Sequence, residues 1–288
     1  MNKKNTINKY YIYIIVAAFV YAFYNILNKM FLVDISPLAF AWGTSVVSAG
    51  LSIIYLMFSK KTKQIKKMNK LDWTYVAILG VVVMSFGKLL YFHGLSLITA
   101  TSTSFLLRVS PISAIIFSWF LIREKITKKQ TLIMFYMIAG VFILTTQGQF
   151  TLELGSIFIV MAGIVIGVDH TLTRKIIKRG IHPNIMSSLV MILVAISLTV
   201  LVLIFEEFTL VHWKIFLLCG SLIFIPKLIR NMALGHIKSP VVGTVLLVHP
   251  LFVAVLGALV LGESLTLIQA SGAFVILSGA YFLIKQKE

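Results

Sequence analysis

Residues 99–127 of the chain read TATSTSFLLRVSPISAIIFSWFLIREKIT, and residues 238–266 read KSPVVGTVLLVHPLFVAVLGALVLGESLT. Slid by 139 residues, Leu107 meets Leu246, Val109 meets Val248, Pro111 meets Pro250, Glu124 meets Glu263 and Thr127 meets Thr266. Each copy holds an apolar run long enough, at ~20 residues, to carry a helix across ~30 Å of hydrocarbon. Each has a proline near its middle and a glutamate at its end, and the first also holds Arg108 well inside the run. A proline-broken membrane helix, repeated in the second half of a chain, is a pattern of transporters with internal repeats.

Apolar runs of this length recur along all 288 residues, 59% of which are hydrophobic and only 12% charged. A soluble domain carries about twice that share of charge. The sequence therefore predicts an all-α polytopic membrane protein with ten transmembrane helices. Their expected positions are residues 10–32, 38–59, 72–94, 100–121, 128–146, 153–175, 184–205, 213–234, 240–261 and 265–284. A β-barrel is excluded, because barrel strands alternate over ~10 residues and these runs do not. The first run, Tyr10 to Leu32, is too long for a signal-peptide core and shows no small-x-small cleavage site, so it is read as a retained helix. Cys219 is the single cysteine, which rules out an internal disulfide.

The net charge of +17 does not signal nucleic acid, because the positive charges follow topology. With the N-terminus inside, 21 of the 26 Lys and Arg residues fall in cytoplasmic segments, six of them between Lys60 and Lys70. Only Lys29 and Lys214 fall outside. The positive-inside rule then predicts a plasma (cytoplasmic) membrane protein with both termini in the cytoplasm. Trp42 and Trp213 are expected at the outer interface, Trp73 and Trp119 near the inner one. The 139-residue shift also aligns Lys88 with Lys227, Leu95 with Leu234 and Gly140 with Gly279, while a shift of 146 aligns Pro37 with Pro183 and Lys29 with Lys175. Five spans per copy is an odd number, so the second copy must enter from the opposite side. Residues 1–147 and 148–288 are thus expected to form two inverted five-helix repeats.

The paired signatures are Pro111, Glu124 and Gly140 in one half, and Pro250, Glu263 and Gly279 in the other. They resemble those of the drug/metabolite transporter (DMT) superfamily, specifically its EamA-type ten-helix members. The resemblance covers nearly the whole chain. It implies two EamA-like repeats, with spans one to four and six to nine around a central cavity and spans five and ten at the periphery. Arg123 precedes Glu124 where the second copy has the more family-like Gly262, so the first signature is the more divergent.

Ionisable groups at membrane depth are costly and mark function. Lys88 and Arg108 both fall in the outer half of the bilayer. Thr101, Ser104, Arg108 and Pro111 share one face of a regular helix, read as the wall of a wet cavity. Asp169, His170, Lys227, Arg230 and His249 form a second cluster, toward the cytoplasm. Asp169 is the one carboxylate within these spans, and Lys227 or Arg230 is its expected partner. Arg230, close to the end of its span, is expected to snorkel. Tyr21, Asn25 and Asn28 make a polar stripe on the first span. Candidate substrate-binding residues are therefore Arg108, Lys88, Lys227, Tyr21, Asn25 and Ser104. Asp169, His170 and His249 are candidates for proton coupling, since histidine changes charge near neutral pH. Pro111, Pro226 and Pro250 each withdraw a helical donor and mark hinges. Gly163 and Gly167 form a G-x-x-x-G that permits close helix contact.

The sequence contains no P-loop, no HExxH, no GxSxG and no Cys/His cluster at metal-ligand spacing, so no enzyme, cofactor or metal is expected. The expected partners are a small-molecule substrate and the lipid bilayer, with a homodimer left open. Lys88, Arg108 and Lys227 outweigh Asp169. The sequence therefore points to a secondary active transporter of a small polar metabolite bearing a negative group, working by alternating access between the repeats. A flippase for a lipid or lipid-linked anion and a broad-specificity drug/metabolite exporter are the alternatives.

Overall fold

The computed structural model describes residues 3–124, 126–146, 153–206, 211–261 and 266–285, and their regular structure is helical throughout. The first half holds α1 (Lys3–Phe31), α2 (Pro37–Phe58), α3 (Lys70–Ala77), α4 (Ser85–Leu97), α5 (Ala100–Leu106), α6 (Val109–Ile122) and α7 (Lys128–Thr146). The second holds α8 (Leu154–Lys178), α9 (Pro183–Phe205), α10 (Trp213–Leu234), α11 (Ser239–Val245), α12 (His249–Leu261) and α13 (Leu267–Lys285). A π-helical stretch, Ile78–Met84, joins α3 to α4, and a 3₁₀ turn at Leu246–Val248 joins α11 to α12. A turn at Leu107 and Arg108 separates α5 from α6, so the fourth and ninth rods are broken at the positions that the 139-residue repeat equates.

Local chemistry fixes the helix starts. Ser36 caps α2 by accepting from the Ala39 N–H, with Pro37 as the first helical residue. His182 caps α9 through the Asn184 N–H, again with a proline, Pro183, in first place. Proline is pre-set for that position and has no N–H to leave unpaired. Nine rods among the described residues are long and apolar enough to cross a membrane. The fifth expected span is α7, whose 19 residues begin with Lys128 and Lys129, and it is not one of the nine.

Packing relates the two halves by exchange. The main contacts are α1 on α10 and α8 on α4; α1 on α12 and α8 on α6; α2 on α10 and α9 on the π-helical stretch. Swapping each helix for its repeat equivalent turns the first member of every pair into the second. α2 on α9 and α7 on α13 map onto themselves, and α6 on α11 maps onto α12 on α5. The glycine that ends each signature serves α7 against α13: a Cβ on Gly140 would lie 2.7 Å from the Val275 side chain, and one on Gly279 2.3 Å from that of Met137. Gly167, from the G-x-x-x-G, brings α8 against α6, where an added Cβ would meet Ser113 and the Ala114 nitrogen at 2.4–2.7 Å. Trp42 departs from its expected interfacial place. It is buried, packs edge-on against Phe216, and donates its indole N–H to Thr199 at 3.0 Å.

Candidate functional site

The rods enclose a cavity of about 200 Å³ near their midpoints. Tyr21 and Asn25 reach it from α1, Lys88 from α4, and Arg108 from the break before α6. Asp169 and His170 come from α8, Lys227 from α10 and His249 from the start of α12. Ser104 does not line it: the residue is fully buried, and its carbonyl accepts from Arg108 Nε at 2.8 Å. The Thr101 side chain lies outside the described residues. None of the three prolines faces the cavity.

Lining residues that the sequence reading passed over follow the same repeat. A shift of 139 pairs Met84 with Ile223, Lys88 with Lys227, Tyr91 with Arg230, and Ser110 with His249. A shift of 146 pairs Tyr24 with His170, Ser45 with Met191, and Ser48 with Val194. Every one of these residues faces the cavity, so the pseudo-twofold relation between the halves passes through it. Applying the repeat to His249, Arg230 and His170 would have added Ser110, Tyr91 and Tyr24.

The charges fall into three arrangements. Asp169 pairs with Arg230 at 2.9 Å and accepts from the Thr173 hydroxyl at 3.2 Å. Arg230 is 5% exposed, so it is a buried counter-ion and does not snorkel. Its helix ends at Leu234, but Leu234 and Ile237 beyond it are themselves fully buried. Arg108 bridges the halves. Its Nε holds the Ser104 carbonyl, and its Nη1 donates to the Leu246 carbonyl at 2.7 Å. Pro250 cannot donate to Leu246, and a freed carbonyl at membrane depth needs another partner. Leu246 finds two, the His249 N–H and the Arg108 guanidinium. The carbonyl that Pro111 frees, Leu107, instead accepts from the Ser110 N–H within its own turn, at 3.0 Å.

The third arrangement is the lysine pair. Lys88 Nζ donates to the Ser45 hydroxyl at 2.6 Å, and Lys227 Nζ contacts Met84 Sδ at 3.4 Å. Met84 sits one turn from Lys88 on the same rod, so the two ammonium groups are close neighbours on one cavity. Among the described residues neither has a carboxylate within 4.0 Å. The π-helical stretch ends at Met84, immediately ahead of α4, and such insertions recur at functional sites.

A second charged cluster closes one end of the bundle and went unread in the sequence. Glu124, the signature glutamate of the first half, pairs with Arg174 at 2.6 Å and Lys178 at 2.5 Å. Arg174 Nη1 also donates to the carbonyls of Leu234 at 2.5 Å and Ile237 at 2.6 Å, tying α8 to the end of α10. The matching signature residue, Glu263, lies outside the described residues. Among the described residues no group of three or more His, Cys, Asp or Glu side chains could hold a metal ion.

A proline-broken helix pair crossing beside a cavity, with the two halves related by exchange, defines an integral membrane protein built from a duplicated unit. The model of the EamA-like transporter family matches residues 8–146 and again 153–285, so the chain belongs to that family. The family is one of transporters and not of enzymes. An uncharacterized transporter, YyaM, from Bacillus subtilis (strain 168) is 26% identical over 163 residues, 54% of this chain and 52% of the relative. The chain thus spans about half the length of that curated relative. A protein of known crystal structure superposes with a TM-score of 0.76 at 14% identity, covering 96% of this chain and 95% of the other, which shows the shared fold.

Proposed function

We propose that the protein is a secondary active transporter that carries a small polar metabolite bearing a negative group, by alternating access of the central cavity. The observation that carries this reading is the pair Lys88 and Lys227, two buried cations equated by the repeat, facing one cavity and unmatched by a carboxylate among the described residues. Asp169 offsets them only in part, because its direct ion pair, at 2.9 Å, is with Arg230. A cation at membrane depth with no counter-ion is costly unless a ligand supplies the charge. In this reading Tyr21 and Asn25 complete the binding wall and Ser104 acts through its carbonyl on Arg108. His170 and His249 remain candidates for proton coupling, and Pro111, Pro226 and Pro250 for hinges. The chain divides at residues 147 and 148 into two inverted five-helix repeats, with α7 and α13 as the fifth and tenth spans and both termini cytoplasmic.

The test is uptake into proteoliposomes. Counterflow of organic anions should be supported by the wild-type protein and lost in Lys88→Gln and Lys227→Gln. Transport confined to cations, or undiminished in both variants, would remove the anion reading. Transport only of a lipid-linked anion between leaflets would favour a flippase.

A further inference from the structure

The polar groups facing the cavity differ in how far their hydrogen-bonding capacity is used, and Asn25 Nδ2, His170 Nδ1 and His249 Nδ1 have no partner among the described residues. Of the hydroxyls facing it, Ser45 already donates to the Ala41 carbonyl at 2.6 Å, Ser48 to carbonyls of Thr44 and Gly220, and Tyr91 to Asn25 at 2.8 Å. Arg230 and Asp169 engage each other, and Arg108 has two donors on backbone carbonyls. The lysines differ. An ammonium has three donors, and each of these has a neutral partner and no carboxylate among the described residues. Phe92, Ile166, Met191, Val194 and Ile223 form an apolar stretch of the wall. A sugar seated there would leave hydroxyls facing carbon. Each hydroxyl buried without a partner weakens binding by about tenfold or more.

We infer that the substrate is an amphiphilic organic carboxylate, its carboxylate between Lys88 and Lys227 and its apolar body against the wall that runs from Phe92 to Val194. This rests on the anion-transport reading and narrows it. The cavity volume of about 200 Å³ sets the size. A water needs about 10–15 Å³ of such space, so the cavity has room for more than ten waters and admits a molecule of about ten non-hydrogen atoms. Phosphorylated sugars and small dianions without an apolar part lack that complementarity.

The experiment is a calorimetric titration of the purified full-length protein with acetate, butanoate, hexanoate and 3-phenylpropanoate, alongside 3-phenylpropanamide and glucose 6-phosphate. Affinity is expected to rise about threefold to fourfold per added methylene, the gain for one buried CH₂. The neutral amide should bind at least tenfold more weakly than its acid, and Lys227→Gln should remove that difference. Val194→Thr, similar in shape, should flatten the methylene series, and it tests the apolar wall without touching the charges. If glucose 6-phosphate binds more tightly than hexanoate and Lys227→Gln abolishes both, the amphiphile inference is overturned and the anion reading stands. If the amide binds as well as the acid, or no anion binds, both are overturned.

Discussion

Replacing Lys227 by methionine should make the unliganded protein more stable. The side chain is 6% exposed, and its described polar contact is a thioether sulfur at 3.4 Å, a weak acceptor. Its ammonium lies near that of Lys88, about one turn away on the facing rod, and Lys88 feels its charge. For a separation on the order of one helical turn and an effective dielectric of about 20, two unit charges repel by about 2–3 kcal/mol. Methionine keeps most of the volume of the lysine stem and fills irregular space readily, so little packing is lost. Some attraction of Lys227 to Asp169 is forfeited, but Arg230 keeps that carboxylate paired. The net expectation is a gain of about 2 kcal/mol. For a chain of this length it corresponds to a rise of about 4 °C in the unfolding midpoint. The assay is thermal unfolding of protein purified in detergent, followed by tryptophan fluorescence. Arg230→Met, three residues further along α10, is the control of opposite sign. It strands Asp169 in the interior, and breaking a buried pair by removing one partner costs about 3–5 kcal/mol. A fall in midpoint for Lys227→Met, comparable to that of Arg230→Met, would refute the assignment of Lys227 as a cation held ready for a ligand.

Three further outcomes are expected. Arg174→Met removes a buried partner of Glu124 and the donor to two carbonyls, and should cost about 3–5 kcal/mol in the same assay. Lys178→Met, whose side chain is 48% exposed, should cost about 1 kcal/mol or less, and equal losses would refute the distinction. Gly272→Ala should loosen α13 from α7, because its Cβ would come 2.5 Å from the Leu144 nitrogen and 2.7 Å from the Gly140 carbonyl; retention of the wild-type midpoint would refute it. Arg108→Lys should lower transport while preserving charge, because an ammonium cannot hold the Ser104 and Leu246 carbonyls in the geometry of a planar guanidinium, and wild-type transport would refute a bridging role.

The duplicated architecture was legible because apolar runs, prolines and signature glycines are local marks that survive divergence. The paired breaks at Leu107 and Leu246 sit where the prolines foretold, four residues ahead of Pro111 and Pro250. The helical face assigned to Thr101, Ser104, Arg108 and Pro111 failed for a physical reason. It assumed an unbroken helix, but the turn at Leu107 and Arg108 resets the phase, so Arg108 faces the cavity while Ser104 points into packed protein. Arg230 and Trp42 were misplaced for a shared reason. Distance along a span was taken as distance from water, whereas the buried Leu234 and Ile237 beyond Arg230, and Phe216 beside Trp42, place protein where an interface was expected. The Glu124 cluster was hidden because its partners, Arg174 and Lys178, lie 50 or more residues away and read as topogenic charges.

The same repeat shows how the two ends of the bundle are fastened. Lys29, at the end of α1, donates to the carbonyls of Leu95 at 2.9 Å and Ser96 at 3.3 Å, where α4 finishes. Arg174, near the end of α8, does the same for Leu234 and Ile237, where α10 finishes. Leu95 and Leu234 are equivalents at the 139-residue shift, and Lys29 aligns with Lys175, the neighbour of Arg174. Each half therefore closes its third rod onto its first with a basic side chain that caps the last turn, where carbonyls have no helical donor. The two fastenings differ in strength. Lys29 is half-buried and meets its two carbonyls with a single ammonium. Arg174 is buried, meets its carbonyls at 2.5 Å and 2.6 Å, and is held in turn by Glu124. Charge-assisted bonds shielded from water are the stronger kind, so the Arg174 end is the more firmly shut in this structure.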